Sequence, residues 1–196
     1  MTLQTPPPAQ EFTETELDHA FEKRCNALYK AELSALYHQK RERFFELADK
    51  LGKAASLFGG SAALWKIGDE NMVKNLAAFI TASSALSLVF SFSERSKRHA
   101  ELAQGFRAII SEILAKSEFE ITPIDAGSWM SKVCTLEAKE PPSLSALTVM
   151  CQNELAISKG ADNKIRPQNF CTRIFSHFFD MPLSSAPPVT QQAPLS

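Results

Sequence analysis

The chain has 196 residues, a formal net charge of −1 and 44% apolar residues. That balance excludes the broad basic footprint of a nucleic-acid binder, and the length allows one or two domains. Its four cysteines, Cys25, Cys134, Cys151 and Cys171, include no CxxC pair. Structural zinc sites take their ligands in close pairs, so free buried thiols are expected in place of a site built from Cys134, Cys151, Cys171 and His177.

Residues 1–13 are polar and proline-rich, with no basic start and no apolar run. They are expected to form a disordered arm and not a signal peptide, which leaves the first apolar segment to act as the insertion signal. A helix is expected from about Glu14, capped by Thr13 or Thr15, with Glu14, Glu16 and Asp18 at the positive end of its dipole. Tyr37, Phe44, Leu51, Phe58 and Trp65 recur every seven residues and predict one apolar seam along it. Gly52 or the Gly59-Gly60 pair is where this helix would break.

The centre of the chain is Ala54 to Phe92. Two apolar stretches, "AASLFGGSAALW" and "LAAFITASSALSLVFSF", flank the polar turn "KIGDENMVKN". They predict a helical hairpin with transmembrane sections at about 51–67 and 74–92. Lys53, Trp65, Lys66 and Arg95 would be its interfacial anchors. Small residues at helical spacing, Gly52, Ser56 and Gly60 in one segment and Ser84, Ser87 and Ser91 in the other, form the expected helix-packing stripe. Serine hydroxyls there can bond the carbonyl one turn back and need no water.

Charge placement sets the orientation. Lys40, Arg41, Arg43, Lys50 and Lys53 precede the hairpin, and Arg95, Lys97, Arg98 and Arg107 follow it. The turn holds only Lys66 and Lys74, opposed by Asp69 and Glu70. This is the positive-inside pattern for two cytoplasmic termini. The run "KRER" at 40–43 is then a solvated face or an anionic-lipid contact.

The second helix is expected to run from about Asp69 to Lys116, with Leu102, Phe106, Ile109, Ile110 and Ile113 on one face. Antiparallel pairing about a turn near Asp69 sets Phe58 near Phe79, Leu51 near Leu86 and Tyr37 near His99, and His38 and His99 face each other. The basic helix with Tyr29 and Tyr37, the stretch "LFGGSAAL" and the following "SKRHAELAQGFRAIISEI" together resemble the SLATT group of two-transmembrane domains, over about residues 29–118. The resemblance implies a membrane-perturbing effector of bacterial conflict systems. No nucleotide-sensing or polymerase module accompanies it, so a trigger would come from another protein.

Residues 119–181 predict about three shorter cytoplasmic helices. Thr122 caps the first, with Pro123 at its first position and Asp125 in its first turn, and it ends before Pro141-Pro142. The second is capped by Ser143 or Ser145 and stops at Gly160. The third starts at Pro167 and carries Phe170, Ile174, Phe175 and Phe178 on one face, which would dock near Phe106 and Ile110 or lie at the lipid interface with Lys164, Arg166 and Arg173 on anionic headgroups. Residues 182–196 are expected to be a disordered tail.

The expected fold class is therefore all-α: residues 14–118 form a long antiparallel helical hairpin with a two-helix transmembrane section, and three cytoplasmic helices follow. The chain shows no nucleophile elbow and no phosphate loop, so neither an enzyme nor a cofactor is expected. The histidines His19, His38, His99 and His177 are scattered. The expected function is that of a two-pass bacterial inner-membrane protein with the lipid bilayer as partner, homo-oligomers and a cytoplasmic protein on the C-terminal helices, and no nucleic acid. The alternatives are a membrane-anchored scaffold without pore activity and a soluble helical binding module.

Overall fold

A computed structural model describes residues 12–64 and 70–161, and among them the protein is all-α with no strand. No proline occurs between Pro8 and Pro123, so nothing in that stretch removes a backbone donor or clashes with a preceding turn. The result is a first helix, α1 (Glu14–Leu64), of 51 residues, about 77 Å long at 1.5 Å per residue. It passes through Gly52 and Gly59-Gly60 without a break. Thr13 starts it with a capping box. Its amide donates to Glu16 Oε2 at 2.8 Å, and the Glu16 amide donates back to Thr13 Oγ1 at 3.4 Å.

The return arm is two helices, α2 (Glu70–Phe90) and α3 (Phe92–Ala115). The single helix expected from Asp69 to Lys116 is corrected here. Ser91 adopts the left-handed conformation, φ 44° and ψ 49°, and separates them. A short 3₁₀ turn at Glu118–Glu120 leads to α4 (Pro123–Glu137) and α5 (Ser145–Ser158).

The α1 face that meets α3 is Ala20, Arg24, Ala27, Ala31, Ala35, His38 and Phe45, all buried. Arg24, Ala31, His38 and Phe45 repeat every seven residues, one position along from the expected seam. Tyr37 of that seam is buried, but Leu51 and Phe58 face outward. The inner face is built largely of alanines, which let α3 come close enough to bury Phe106, Ile109 and Ile113 fully or nearly so. Trp129 and Val133 of α4 complete this core. Burying each large side chain contributes about 1.5–3 kcal/mol. Phe106 lies in this core with its ring stacked on His38 of α1 at 6.0 Å.

Thr122 caps α4 as its sequence requires. It accepts from the Asp125 amide while the Asp125 carboxylate accepts from the Thr122 amide, with Pro123 in the first turn. Lys116 bonds the same carboxylate and, with Thr122, holds Asp125 below its usual pKa. On α5 the expected cap is corrected: Leu144 holds the N-cap position and no side chain at that position caps it. Its amide donates instead to the Tyr37 hydroxyl of α1 at 3.1 Å. The helix ends at Ser158, followed by Gly160 at φ 69°, a conformation glycine adopts without a Cβ penalty.

The transmembrane section expected at 51–67 and 74–92 is not supported. Among the described residues no helix is long and apolar enough to cross a membrane. Lys53 stands in α1 within the first expected span, and α2 opens on Glu70 and Lys74 and intersperses Thr81, Ser83, Ser84 and Ser87 among its apolar residues. Trp65 and Lys66, two of the four expected anchors, lie outside the described residues, as do the helix expected from Pro167, Cys171, His177 and the tail. Free cysteine burial is corrected in part: Cys151 is buried and its thiol is pushed up to about 12 by that burial, whereas Cys25 and Cys134 are exposed.

Candidate functional site

Two features stand out on this scaffold: an apolar hairpin tip and a cationic cavity at its base. The tip is formed by α1 beyond Phe45 together with α2. Leu51, Leu57, Phe58, Phe79 and Val89 are all exposed there, Phe58 at 74% and Val89 at 77%. Exposed apolar groups in this number are what an interaction surface would present. Apolar side chains are thus exposed on both arms, and among the described residues a serine pair meets between them.

That contact includes part of the expected small-residue stripe. Ser56 Oγ lies 3.4 Å from Ser84 Oγ and also donates to the Gly52 carbonyl at 3.0 Å. Thr81 bonds the Ala77 carbonyl in the same manner at 2.9 Å. The hydroxyls of Ser56 and Thr81 are thereby satisfied within their own helices, as an apolar surrounding requires. Gly52 is not needed for close approach, because a Cβ there would meet nothing within 4 Å. Ser91 leaves the stripe altogether: it is exposed at the break between α2 and α3. Gly60 and Ser87 lie in α1 and α2, and their surroundings fall outside the described residues. Lys53 pairs with Asp49 at 2.6 Å, one turn back on α1, and Arg95 stands at the start of α3.

Below the tip, α1 and α3 bring His38 and His99 together. The two rings share a hydrogen bond between their Nδ1 atoms at 2.8 Å, so one Nδ1 carries a proton and the other accepts it. Phe45 stacks on His99 and Phe106 on His38. Glu140 Oε1 is 3.2 Å from His38 Nε2, within ion-pair distance but not aligned as a hydrogen bond. Burial holds His99 down at about 3, reinforced by His38, Arg41, Arg98 and Arg95, so His99 is neutral at physiological pH.

The arginines named here line a cavity of about 390 Å³ with Tyr37, Phe45, His99, Pro141 and Pro142. The Arg41 guanidinium lies 4.5 Å from the Phe45 ring centre and that of Arg95 6.0 Å from it, both in cation–π range. Arg98 Nη2 donates to the Lys139 carbonyl at 3.1 Å, which ties α3 to the loop after α4. Burial, and then Arg95, hold Arg41 below its usual pKa. The sequence marks Arg41 only as part of a basic run and the two prolines only as a helix stop. Arg41 and Arg95 are more than fifty positions apart, and only the register of the hairpin places them on one cavity.

No family model, curated protein or solved structure matches the chain. Among the described residues no three metal-binding side chains gather in one place.

Proposed function

We propose that the protein is a helical hairpin that seats its apolar tip in a lipid bilayer while the head, built from α4, α5 and the inner half of α1 and α3, remains in the cytoplasm. The observation that carries this is the exposed apolar surface on both arms of the tip, with Phe58 and Val89 about three-quarters exposed. Basic residues gather on the head side of that surface, Lys40, Arg41 and Arg43 on α1 and Arg95, Lys97, Arg98 and Arg107 on α3, as anionic headgroups would favour. The tip would enter the interfacial layer as an amphipathic element does. The resemblance to SLATT domains supports a bacterial inner membrane, both termini on the cytoplasmic side, and a bilayer-perturbing role switched by another protein.

Flotation of the full chain with phosphatidylcholine vesicles, with and without anionic lipid, tests this. The chain should float with the vesicles, and Phe58→Asp with Val89→Asp should abolish flotation while the helical circular dichroism is kept. A wild-type chain that stays at the bottom of the gradient with both vesicle types would sink the proposal.

A second surface favours the scaffold alternative for the opposite end. Leu17, Phe21, Leu114, Phe119 and Ile124 are exposed where α1 starts and α3 ends, Phe119 completely. A cavity of about 400 Å³ lies there, between the first turns of α1 and Pro123 and Met130 of α4. A protein partner bound at that end would be held some 70 Å from the tip by α1. Crosslinking from position 119 would find it, and flotation would be unaffected by its loss.

A further inference from the structure

The geometry points to the cavity at the base of the hairpin as a binding site for an organic phosphate monoester. Three guanidinium groups from two helices, Arg41 of α1 and Arg95 and Arg98 of α3, line it, and no carboxylate is among its lining residues. Guanidinium is the side chain that best matches phosphate, through paired parallel donors. Tyr37 adds a donor: its oxygen accepts from the Leu144 amide, which leaves its own proton to give. Neutral His99 closes the inner wall without adding charge.

The cavity is also too large for an inorganic ion alone. At about 390 Å³ it falls in the range of small-organic-ligand pockets, roughly 300–1,000 Å³. Phe45 and the Pro141-Pro142 corner supply apolar walls for the body of such a ligand. The Arg98 bond to the Lys139 carbonyl fixes the proline-bearing loop against α3, so the walls and the charged groups are held in one frame.

Two sources present this chemistry: a soluble phosphate monoester, or the headgroup of a phosphomonoester lipid reached when the tip is seated in a bilayer. The lipid source rests on the proposed membrane contact, and the soluble source does not.

Isothermal titration of the full chain with phenyl phosphate at fixed ionic strength tests the site. The wild type should bind, Arg95→Gln/Arg98→Gln should bind at least tenfold more weakly, and Arg95→Lys/Arg98→Lys should fall between them. If the double glutamine variant loses its helical signal, Arg95→Gln alone, at an exposed position, should still weaken binding severalfold. Equal affinity of wild type and a folded glutamine variant would overturn the proposal, as would absence of heat with the wild type. Flotation with phosphatidic acid vesicles separates the sources. A loss in the glutamine variant on these vesicles, but not on pure phosphatidylcholine, assigns the headgroup; weakened phenyl phosphate binding with unchanged flotation assigns a soluble ligand. Phe58→Asp should leave phenyl phosphate binding intact, so failure of the membrane contact does not pass for failure of the site.

Discussion

The hydroxyl of Tyr37, in the middle of α1, caps α5 by accepting the Leu144 amide at 3.1 Å. Tyr37 is buried, and burial raises its phenol above the usual pKa, so it remains protonated across the physiological range. Tyr37→Phe should leave the ring packing intact and orphan that amide. The expected loss is about 1–2 kcal/mol, with faster hydrogen exchange in the first turn of α5 and not in α4. Unchanged exchange there would mean that water replaces the hydroxyl.

Neutral burial of His99 makes stability depend on acidity. Its folded pKa of about 3 lies below the unfolded value of 6.5, so between these limits the unfolded chain binds more protons and unfolding becomes easier as pH falls. The contribution is fully present above about pH 6.5 and is lost progressively below it. From pH 6.5 to pH 4 the expected loss is roughly 2–3 kcal/mol. His99→Gln should flatten this slope in urea melts, and a slope equal to the wild type would assign the acid sensitivity to other groups.

Gly105 on α3 packs closely under Leu136 of α4, since a Cβ there would sit 2.9 Å from Leu136 Cδ1. Gly105→Ala gains helix propensity of about 1 kcal/mol and needs only the tip of Leu136 to swing, so its net effect should stay within about 1 kcal/mol of wild type. Gly105→Leu should cost about 1–3 kcal/mol by overpacking. Thermal melts of both variants check the pair, and a well-tolerated leucine would show that α4 can move away from α3.

Ser91 holds a left-handed backbone, which β-branched residues adopt only under strain. Ser91→Ile should destabilise by about 1–2 kcal/mol, and Ser91→Asn should be close to neutral. If the isoleucine variant is as stable as wild type, α2 and α3 can merge into one helix at little cost.

Capping and periodicity were legible in the residues themselves. Thr13 with Glu16, and Thr122 with Pro123 and Asp125, act where local chemistry alone decides. The hairpin register was legible to within a few residues, enough to bring His38 opposite His99. What stayed hidden depends on groups far apart in the chain. Leu144 is capped by Tyr37, over a hundred positions away, and nearby Ser143 and Ser145 were the natural local guess. The break at Ser91 has no glycine or proline to announce it. The seven-residue repeat of large residues from Tyr37 drew attention from the alanine face beside it, because a repeat reports which residues share a stripe but not which stripe is buried. The spans at 51–67 and 74–92 rest on uncharged length, and among the described residues no helix is long and apolar enough to cross a membrane.

The two arms of the hairpin differ mechanically. On one side α1 is a single unjointed strut from head to tip, while the other side has an elbow at Ser91 level with the basic end of the tip. A load applied at the tip therefore cannot be absorbed along α1 and is delivered to the alanine seam, where α3 and α4 are seated. The return arm is interrupted at Ser91, between α2 and α3. Whatever grips the tip is tied to the head through one continuous helix on one side and through two on the other.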